Sequence, residues 1–423
     1  MKYRSLPSRV SGTLRAPPSK SVTHRAMVLG ALSSGTSEIR RPLRSEDTDA
    51  TLDGVVAFGA HVDRDDGSVR VDCDSLRVPN GPIDARNSGT TLRLLAGVAS
   101  LLPGATTLTG DSSLQKRPMG PLLDALRVLG ADAISLGGGG RPPVQIRGIL
   151  RGGSASLPGD VSSQFLSSLL IAGPLAAQGV EIRVMPPVRS EPYVELTRQM
   201  MRRFGVDVTA DDGLYKTSGG QRYRSTDTDV PGDFSSAAFP LVASAITDGD
   251  VTVTGLDVDG PLGDRKIIEI LRSFGASVEV SRDRVRVRGG PLVAQTVDIG
   301  DTPDLFPILA VLASQAQGET RFVNGRHLRF KESDRIEATV SMLLGLGGRA
   351  KPTDDGCIVV GPTRLLGGSV DARGDHRILM AAAVAGLVAR AVVDVSDPWS
   401  FRVSYPSFLE DFQALGALHA VVA

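Results

Sequence analysis

Phe274-Gly275-Ala276-Ser277-Val278-Glu279-Val280 ends one element and begins another: an apolar residue closes a helix, glycine stops it, and a short strand-like run follows. The same signature recurs at Phe58-Gly59, Leu129-Gly130, Phe204-Gly205, Leu346-Gly347 and Leu415-Gly416. Successive glycines of the whole set lie 71, 75, 70, 72 and 69 residues apart. Glycine suits the place because the left-handed residue after a helix carries no Cβ penalty there. A second signature keeps step with the first. A small polar or acidic residue opens an apolar helix at Ser21, Ser88, Ser162, Ser235, Asp304 and Asp375, with spacings of 67, 74, 73, 69 and 71. β-Branched runs such as Gly179-Val180-Glu181-Ile182-Arg183-Val184 follow most of these helices and read as strands.

The chain therefore predicts six α/β units of about 70 residues, each helix, strand, helix, strand with further short strands between. Solenoid repeats are usually about 20 to 50 residues long and need polar caps at both ends, so two globular domains of three units fit better. The polar stretch Ser218 to Val230 follows the third unit and is the natural crossover. The helices opened at Ser162, Ser235, Asp304 and Asp375 are apolar almost all round, which predicts burial between sheets.

Composition narrows the function. The 423 residues carry 47 Lys+Arg against 47 Asp+Glu, and this balance offers no long-range attraction to nucleic acid or an anionic membrane surface. The longest apolar run, Ile378 to Ala389, has 12 residues, short of the roughly 20 that span a bilayer. The polar start Met1-Lys2-Tyr3-Arg4 lacks a signal-peptide pattern, so a cytoplasmic location is expected. Cys73 and Cys357 stand far apart with no metal-ligand spacing, so neither a disulfide framework nor a metal site is expected.

The polar residues concentrate at helix starts, where unpaired N–H groups and the positive dipole end favour phosphate and carboxylate. If the repeats pack around pseudo-threefold axes, those starts point one way in each domain, and facing domains would form an anion-collecting cleft. Ser19-Lys20-Ser21-Val22-Thr23-His24-Arg25 brings Lys20, Ser21 and Arg25 within about one helical turn, as a clamp for anionic groups. Ser162-Ser163-Gln164 offers three side-chain donors where one capping hydroxyl would suffice. Asn87-Ser88-Gly89-Thr90 has the glycine and hydroxyls of a close backbone approach to a ligand. Gln115-Lys116-Arg117-Pro118 sets a cation before a helix start, where the dipole disfavours it unless an anion is present. Lys331-Glu332-Ser333-Asp334-Arg335 is the densest charge cluster, readable as a solvated helix start or as a site. Asp375-His376-Arg377 heads the most apolar helix, and Asp304 heads another, as a cap or a base. His376 beside Asp375 has no nucleophilic Ser or Cys to serve, which disfavours a hydrolase triad.

Together these segments, with Ser190-Glu191-Pro192-Tyr193 and Gly232-Asp233-Phe234-Ser235-Ser236, resemble the 5-enolpyruvylshikimate-3-phosphate synthase family of enolpyruvyl transferases, in the family's order over nearly the whole chain. The resemblance implies two inside-out α/β barrel-like domains, each of three βαβαββ repeats. Residues 1–16 with 231–423 would form one and 17–230 the other, with the active site in the cleft between them. It implies transfer of the enolpyruvyl group of phosphoenolpyruvate to the 5-hydroxyl of shikimate 3-phosphate through a tetrahedral intermediate that expels phosphate. That step belongs to the shikimate pathway to chorismate and aromatic amino acids. No metal or other cofactor, no nucleic acid and no membrane would take part, and a monomer is expected.

By the same resemblance, Lys20, Ser21, Arg25, Ser162, Ser163, Gln164, Ser190, Asp304 and Lys331 would hold shikimate 3-phosphate. Lys20, Gly89, Arg117, Gln164, Arg335 and Arg377 would hold phosphoenolpyruvate at a pocket where the herbicide glyphosate competes. Lys20, Asp304 and Glu332 would be catalytic, Asp304 as base toward the 5-hydroxyl and Glu332 as acid/base at the methylene carbon. Val403 stands where the family often has Lys, with Arg402 one place earlier, and His327 where some members have Asn. UDP-N-acetylglucosamine enolpyruvyltransferase shares the fold and the donor but typically uses a Cys on the loop where this chain has Gln115-Lys116-Arg117. A non-catalytic anion-binding scaffold is the remaining alternative.

Overall fold

All six repeat-closing glycines have positive φ, between 81° and 105°, in a computed structural model that describes residues 1–423. Each closes the same cap: the N–H after the glycine reaches the carbonyl five residues back, as Ala60 does to Val55 at 3.0 Å and Ala276 to Leu271 at 3.0 Å. This double-bonded stop satisfies the last helical carbonyls and turns the chain outward. The six helices it ends are α2 (Glu46–Ala57), α4 (Gly120–Val128), α6 (Glu191–Arg203), α8 (Ile267–Ser273), α10 (Arg335–Gly345) and α12 (Phe408–Ala414). Alternating with them are α1 (Lys20–Leu32), α3 (Gly89–Ala99), α5 (Ser163–Ala172), α7 (Phe234–Ile246), α9 (Phe306–Gln315) and α11 (His376–Gly386).

The chain divides into a continuous unit, Pro18–Val230, and a discontinuous one, Met1–Pro17 with Pro231–Ala423. Each unit holds three four-stranded sheets of one pattern: a first strand parallel to the second, then two antiparallel partners. In the continuous unit the strand Thr228–Asp229, from the end of the segment, lies parallel to Ser37–Arg40 and completes the first sheet. The polar stretch Ser218 to Val230 thus ends at the boundary between the units and carries two short strands, Tyr223–Arg224 and Thr228–Asp229. Its Tyr223 is fully buried and donates to the Ile171 carbonyl at 2.9 Å.

In the discontinuous unit the chain start supplies two strands to two different sheets. Ser11–Arg15 runs parallel to Asp250–Thr254, and Lys2–Leu6 lies antiparallel between Val393–Val395 and Leu418–Val422. Helices α7, α9 and α11 pack on one another inside these sheets. Every residue of α11 is buried, which answers to its all-round apolar sequence.

Three helix openings differ from the sequence reading. Ser19, not Ser21, caps α1, accepting from Val22 N. Asp233, not Ser235, caps α7. Asp304 caps nothing, because α9 begins at Phe306 without a side-chain cap. A cap must leave the helical φ/ψ region, so Ser21 and Ser235, already within the first turn, are left free for other partners. Ser88, Ser162 and Asp375 do cap α3, α5 and α11.

Candidate active site

In the continuous unit, the starts of α1, α3, α5 and α6 carry the predicted anion-binding groups. Arg25, one turn into α1, is buried and gives its three nitrogens to neutral oxygens: Thr197 Oγ1 at 2.8 Å, the Ser21 carbonyl at 3.0 Å and the Tyr193 carbonyl at 3.2 Å. Burial brings its pKa down to about 10. A buried guanidinium without a carboxylate partner is costly, and a ligand anion is what would offset it. Lys20 donates to Asp47 Oδ2 at 2.9 Å, with Asp47 almost wholly buried.

Gly89 is the first residue of α3. A Cβ there would stand 3.1 Å from Arg93 Nη1 and 3.2 Å from Arg117 Nη1, so the missing side chain is what lets two guanidiniums approach this helix start. Arg117 Nη2 donates to Asn87 Oδ1 at 2.7 Å. Its neighbour Lys116 is exposed, so the buried cation of that loop is Arg117. Ser162 caps α5 by accepting from Gln164 N at 3.3 Å. The Gln164 amide is held between Arg93, which donates to its Oε1 at 2.6 Å, and Thr90 Oγ1, which accepts at 2.8 Å. Ser163 is half-buried at the first position of α5. Ser190, before α6, is buried with φ 58°, a left-handed geometry that a non-glycine residue holds only where its surroundings enforce it.

In the discontinuous unit, two guanidiniums meet three carboxylates. Asp304 is bridged by Arg335 Nη1 and Arg377 Nη2, each at 2.9 Å. Arg335 also donates to Asp375 Oδ2 at 3.0 Å and pairs with Glu332. Its side chain is 1% exposed, so Lys331–Arg335 is not a solvated helix start. Burial pushes the Asp304 carboxyl up, but Arg377, Arg335 and Lys331 outweigh it and hold the group well below the usual carboxylate range. Burial alone would lower Arg335, yet Asp375, Glu332 and Asp304 keep it firmly protonated. Lys331 and Glu332 are half-buried beside this group.

Comparison with known proteins decides the kinship. The chain matches the EPSP synthase (3-phosphoshikimate 1-carboxyvinyltransferase) family over residues 5–412. The chain belongs to that family. The 3-phosphoshikimate 1-carboxyvinyltransferases of Methanocorpusculum labreanum and Methanothrix thermoacetophila are 48% and 46% identical to this family member, each match covering 97% of both chains. The solved EPSP synthase of Acinetobacter baumannii is 31% identical, with a TM-score of 0.83 over 100% of each chain. The enolpyruvyl transferase fold expected from the sequence is thus the observed one.

Within this EPSP synthase family fold, the predicted residues form two sets. Lys20, Ser21, Arg25, Gly89, Arg117, Ser162, Ser163, Gln164 and Ser190 belong to the continuous unit, and Asp304, Lys331, Glu332, Arg335 and Arg377 to the discontinuous one. The sequence gives no role to Asp47 or Arg93, and marks Asp375 only as a helix opener. Besides capping α11, the Asp375 carboxylate, with no exposed surface, orients Arg335, a partner that sequence spacing does not reveal. The signal available for Arg93 was a cation on the apolar segment Leu92-Arg93-Leu94-Leu95. Arg402 is exposed, with its guanidinium 4.1 Å over the Trp399 ring. His327 is buried in the turn Arg326–Phe330. No helix is long and apolar enough to cross a membrane.

Proposed function

We propose that this chain transfers the enolpyruvyl group of phosphoenolpyruvate to the 5-hydroxyl of shikimate 3-phosphate, giving 5-enolpyruvylshikimate 3-phosphate and phosphate. The observation that carries the reading is Arg25, a buried cation whose three bonds all go to neutral oxygens. Both substrates bear a phosphate and a carboxylate, so four anionic groups must be met. In this reading Ser21, Arg25, Ser162, Ser163, Gln164, Ser190 and Lys331 meet shikimate 3-phosphate. Gly89, Arg117, Gln164, Arg335 and Arg377 meet phosphoenolpyruvate, and Lys20 meets both. The groups of both units serve one turnover.

The chemistry follows from charge. As substrate anions neutralise Arg335 and Arg377, the field that depresses Asp304 weakens, and its carboxylate regains the basicity needed to take the 5-hydroxyl proton. The 5-oxygen bonds to C2 of phosphoenolpyruvate while C3 gains a proton from Glu332. In the second step C3 returns that proton to Glu332, the C2–C3 double bond reforms, and the C2–O bond to phosphate breaks as the leaving oxygen takes the proton held by Asp304. Electrons and protons balance with no redox partner, so no redox cofactor is required.

The related acceptor, UDP-N-acetylglucosamine, is disfavoured by the thiols. Burial pushes the Cys357 thiol up to about 12 within its paired strand, and burial also raises Cys73. Neither lies on the Gln115–Arg117 loop. Phosphate release from phosphoenolpyruvate, assayed with shikimate 3-phosphate and with UDP-N-acetylglucosamine, tests the proposal: release with neither would leave the scaffold reading, and release only with the second would replace the acceptor. We infer a cytoplasmic monomer; sedimentation tests the monomer and cell fractionation the location.

A further inference from the structure

Behind the anion-binding groups of the continuous unit runs a chain of buried hydroxyls that the proposed chemistry does not use. His24 Nδ1 lies 2.6 Å from Thr51 Oγ1, which lies 2.6 Å from Thr91 Oγ1. Thr91 Oγ1 in turn lies 2.7 Å from Ser88 Oγ and 3.2 Å from the Asp47 carbonyl. The side chains come from α1, α2 and α3 and the cap of α3, and all are buried. Both branches at the Thr91 end reach the site. Ser88 caps α3 immediately before Gly89 and Thr90, and Asp47 holds the Lys20 ammonium.

The proton order in this chain has one economical solution. Burial, then Lys20 and Arg25, hold the His24 imidazole well below its ordinary pKa, so it is neutral. Its Nε2 meets no partner. Leaving an acceptor bare costs less than leaving a buried N–H bare, which assigns the proton to Nδ1. Nδ1–H then donates to Thr51, Thr51 to Thr91, and Thr91 to Ser88 or the Asp47 carbonyl, one proton per hydroxyl. Such a one-way chain fixes three helix starts against each other more narrowly than apolar packing would.

We propose that His24, Thr51 and Thr91 are positioning residues. They set the spacing of the α1 and α3 starts and, through Asp47, where the Lys20 ammonium stands relative to Gly89. The inference rests on the assignment of Lys20 and Gly89 to substrate given above. It adds that the geometry of that pair is held by a hydroxyl relay with a defined hydrogen-bond direction.

Thr51→Val removes the central hydroxyl and keeps the shape. It should raise KM for phosphoenolpyruvate about threefold or more, a coupling of the size found for residues in one hydrogen-bonded network. Thr51→Ser should restore the wild-type value. In an Asp47→Asn background the Thr51→Val effect should shrink below about twofold, because both act through Lys20. A purely structural role would instead multiply independently, and that result, or an unchanged KM in Thr51→Val, overturns the proposal. Should Thr51→Val fail to fold, His24 decides. His24→Asn, whose amide N–H stands where Nδ1–H was, should keep KM, His24→Leu should raise it, and equal values overturn the relay. A wild type that releases no phosphate would sink the function and not the relay. The rate of Lys20 acylation, read by mass spectrometry, would then have to change about threefold in Thr51→Val, and an unchanged rate overturns it.

Discussion

Asp304 Oδ2 lies 2.9 Å from Arg377 Nη2, on a guanidinium that is 3% exposed. The protein's own carboxylate thus occupies a cation assigned to substrate, and its partner oxygen occupies Arg335 in the same way. The arrangement neutralises two buried cations in the absence of ligand. It also ties the strength of the proposed base to substrate binding, since only anions arriving at those cations can release it.

Asp304→Asn keeps the shape and loses the proton acceptor, so turnover should fall by about 10²- to 10⁴-fold. KM for phosphoenolpyruvate should not rise, because both guanidiniums lose a competing carboxylate. Steady-state kinetics measure both, and near-wild-type turnover would remove Asp304 from the mechanism.

The same depressed carboxyl gives acid stability a definite sign. A folded pKa below the unfolded value of about 3.9 contributes stability that is present above that value and is lost as pH falls through the folded one. The wild-type advantage over Asp304→Asn in urea midpoint should be flat above about pH 5 and shrink below about pH 4. An advantage independent of pH down to acid unfolding would mean that Asp304 is not ion-paired in solution.

Arg25→Met exchanges a buried cation that lacks a carboxylate for an apolar chain of similar length. Thermal stability should hold or rise, since replacing an uncompensated charge removes a desolvation cost. Affinity for shikimate 3-phosphate should drop by about 10-fold or more, the worth of a charged hydrogen bond. Loss of stability with unchanged affinity would make Arg25 a structural residue.

Gly89→Ala adds a methyl group about 3 Å from two guanidinium nitrogens. Both are ends of long side chains and can give way, so the fold should survive, and helix propensity favours Ala by up to about 1 kcal/mol. The displaced guanidiniums should raise KM for phosphoenolpyruvate modestly. Competitive inhibition by glyphosate, the longer ligand, should weaken more. Equal glyphosate inhibition of both enzymes would show that Gly89 does not line the pocket.

Arg402→Ala tests the position next to the missing family lysine. Its side chain is exposed and stacked on Trp399, a contact worth about 0.5–1 kcal/mol at an exposed site. KM for phosphoenolpyruvate should therefore change less than about threefold. A tenfold rise would make Arg402 the substitute cation.

Local chemistry explains what was readable in the chain. An apolar residue followed by glycine stops a helix through bonds made within six residues, so all six stops, from Gly59 to Gly416, stood in the sequence at their observed places. The buried character of α7, α9 and α11 was equally plain, because a helix without a polar face has nowhere to lie but inside. Caps were less legible. Ser19 and Asp233 precede the residues first marked, since several small polar residues cluster at each start and φ/ψ, not residue type, selects the cap.

What the sequence by itself determined is the repeat, the kinds of residue at the helix starts and, through its motifs, the family. Only the tertiary structure decided which charges are compensated. Arg25, Arg335 and Arg377 look alike in the chain. Folding leaves the first among neutral oxygens, whereas the other two meet carboxylates that come from as far as 40 and 73 residues away in sequence. The family likeness puts residues 1–16 with the last three repeats. Only folding decided that the segment splits into two strands serving two different sheets, Lys2–Leu6 beside Val393–Val395 and Ser11–Arg15 beside Asp250–Thr254. The physical reason is common to both. Helix stops and hydrophobic periods are set by neighbours along the chain, whereas the electrostatic state of a buried group and the partner of an edge strand are set by whatever packing brings within a few ångströms.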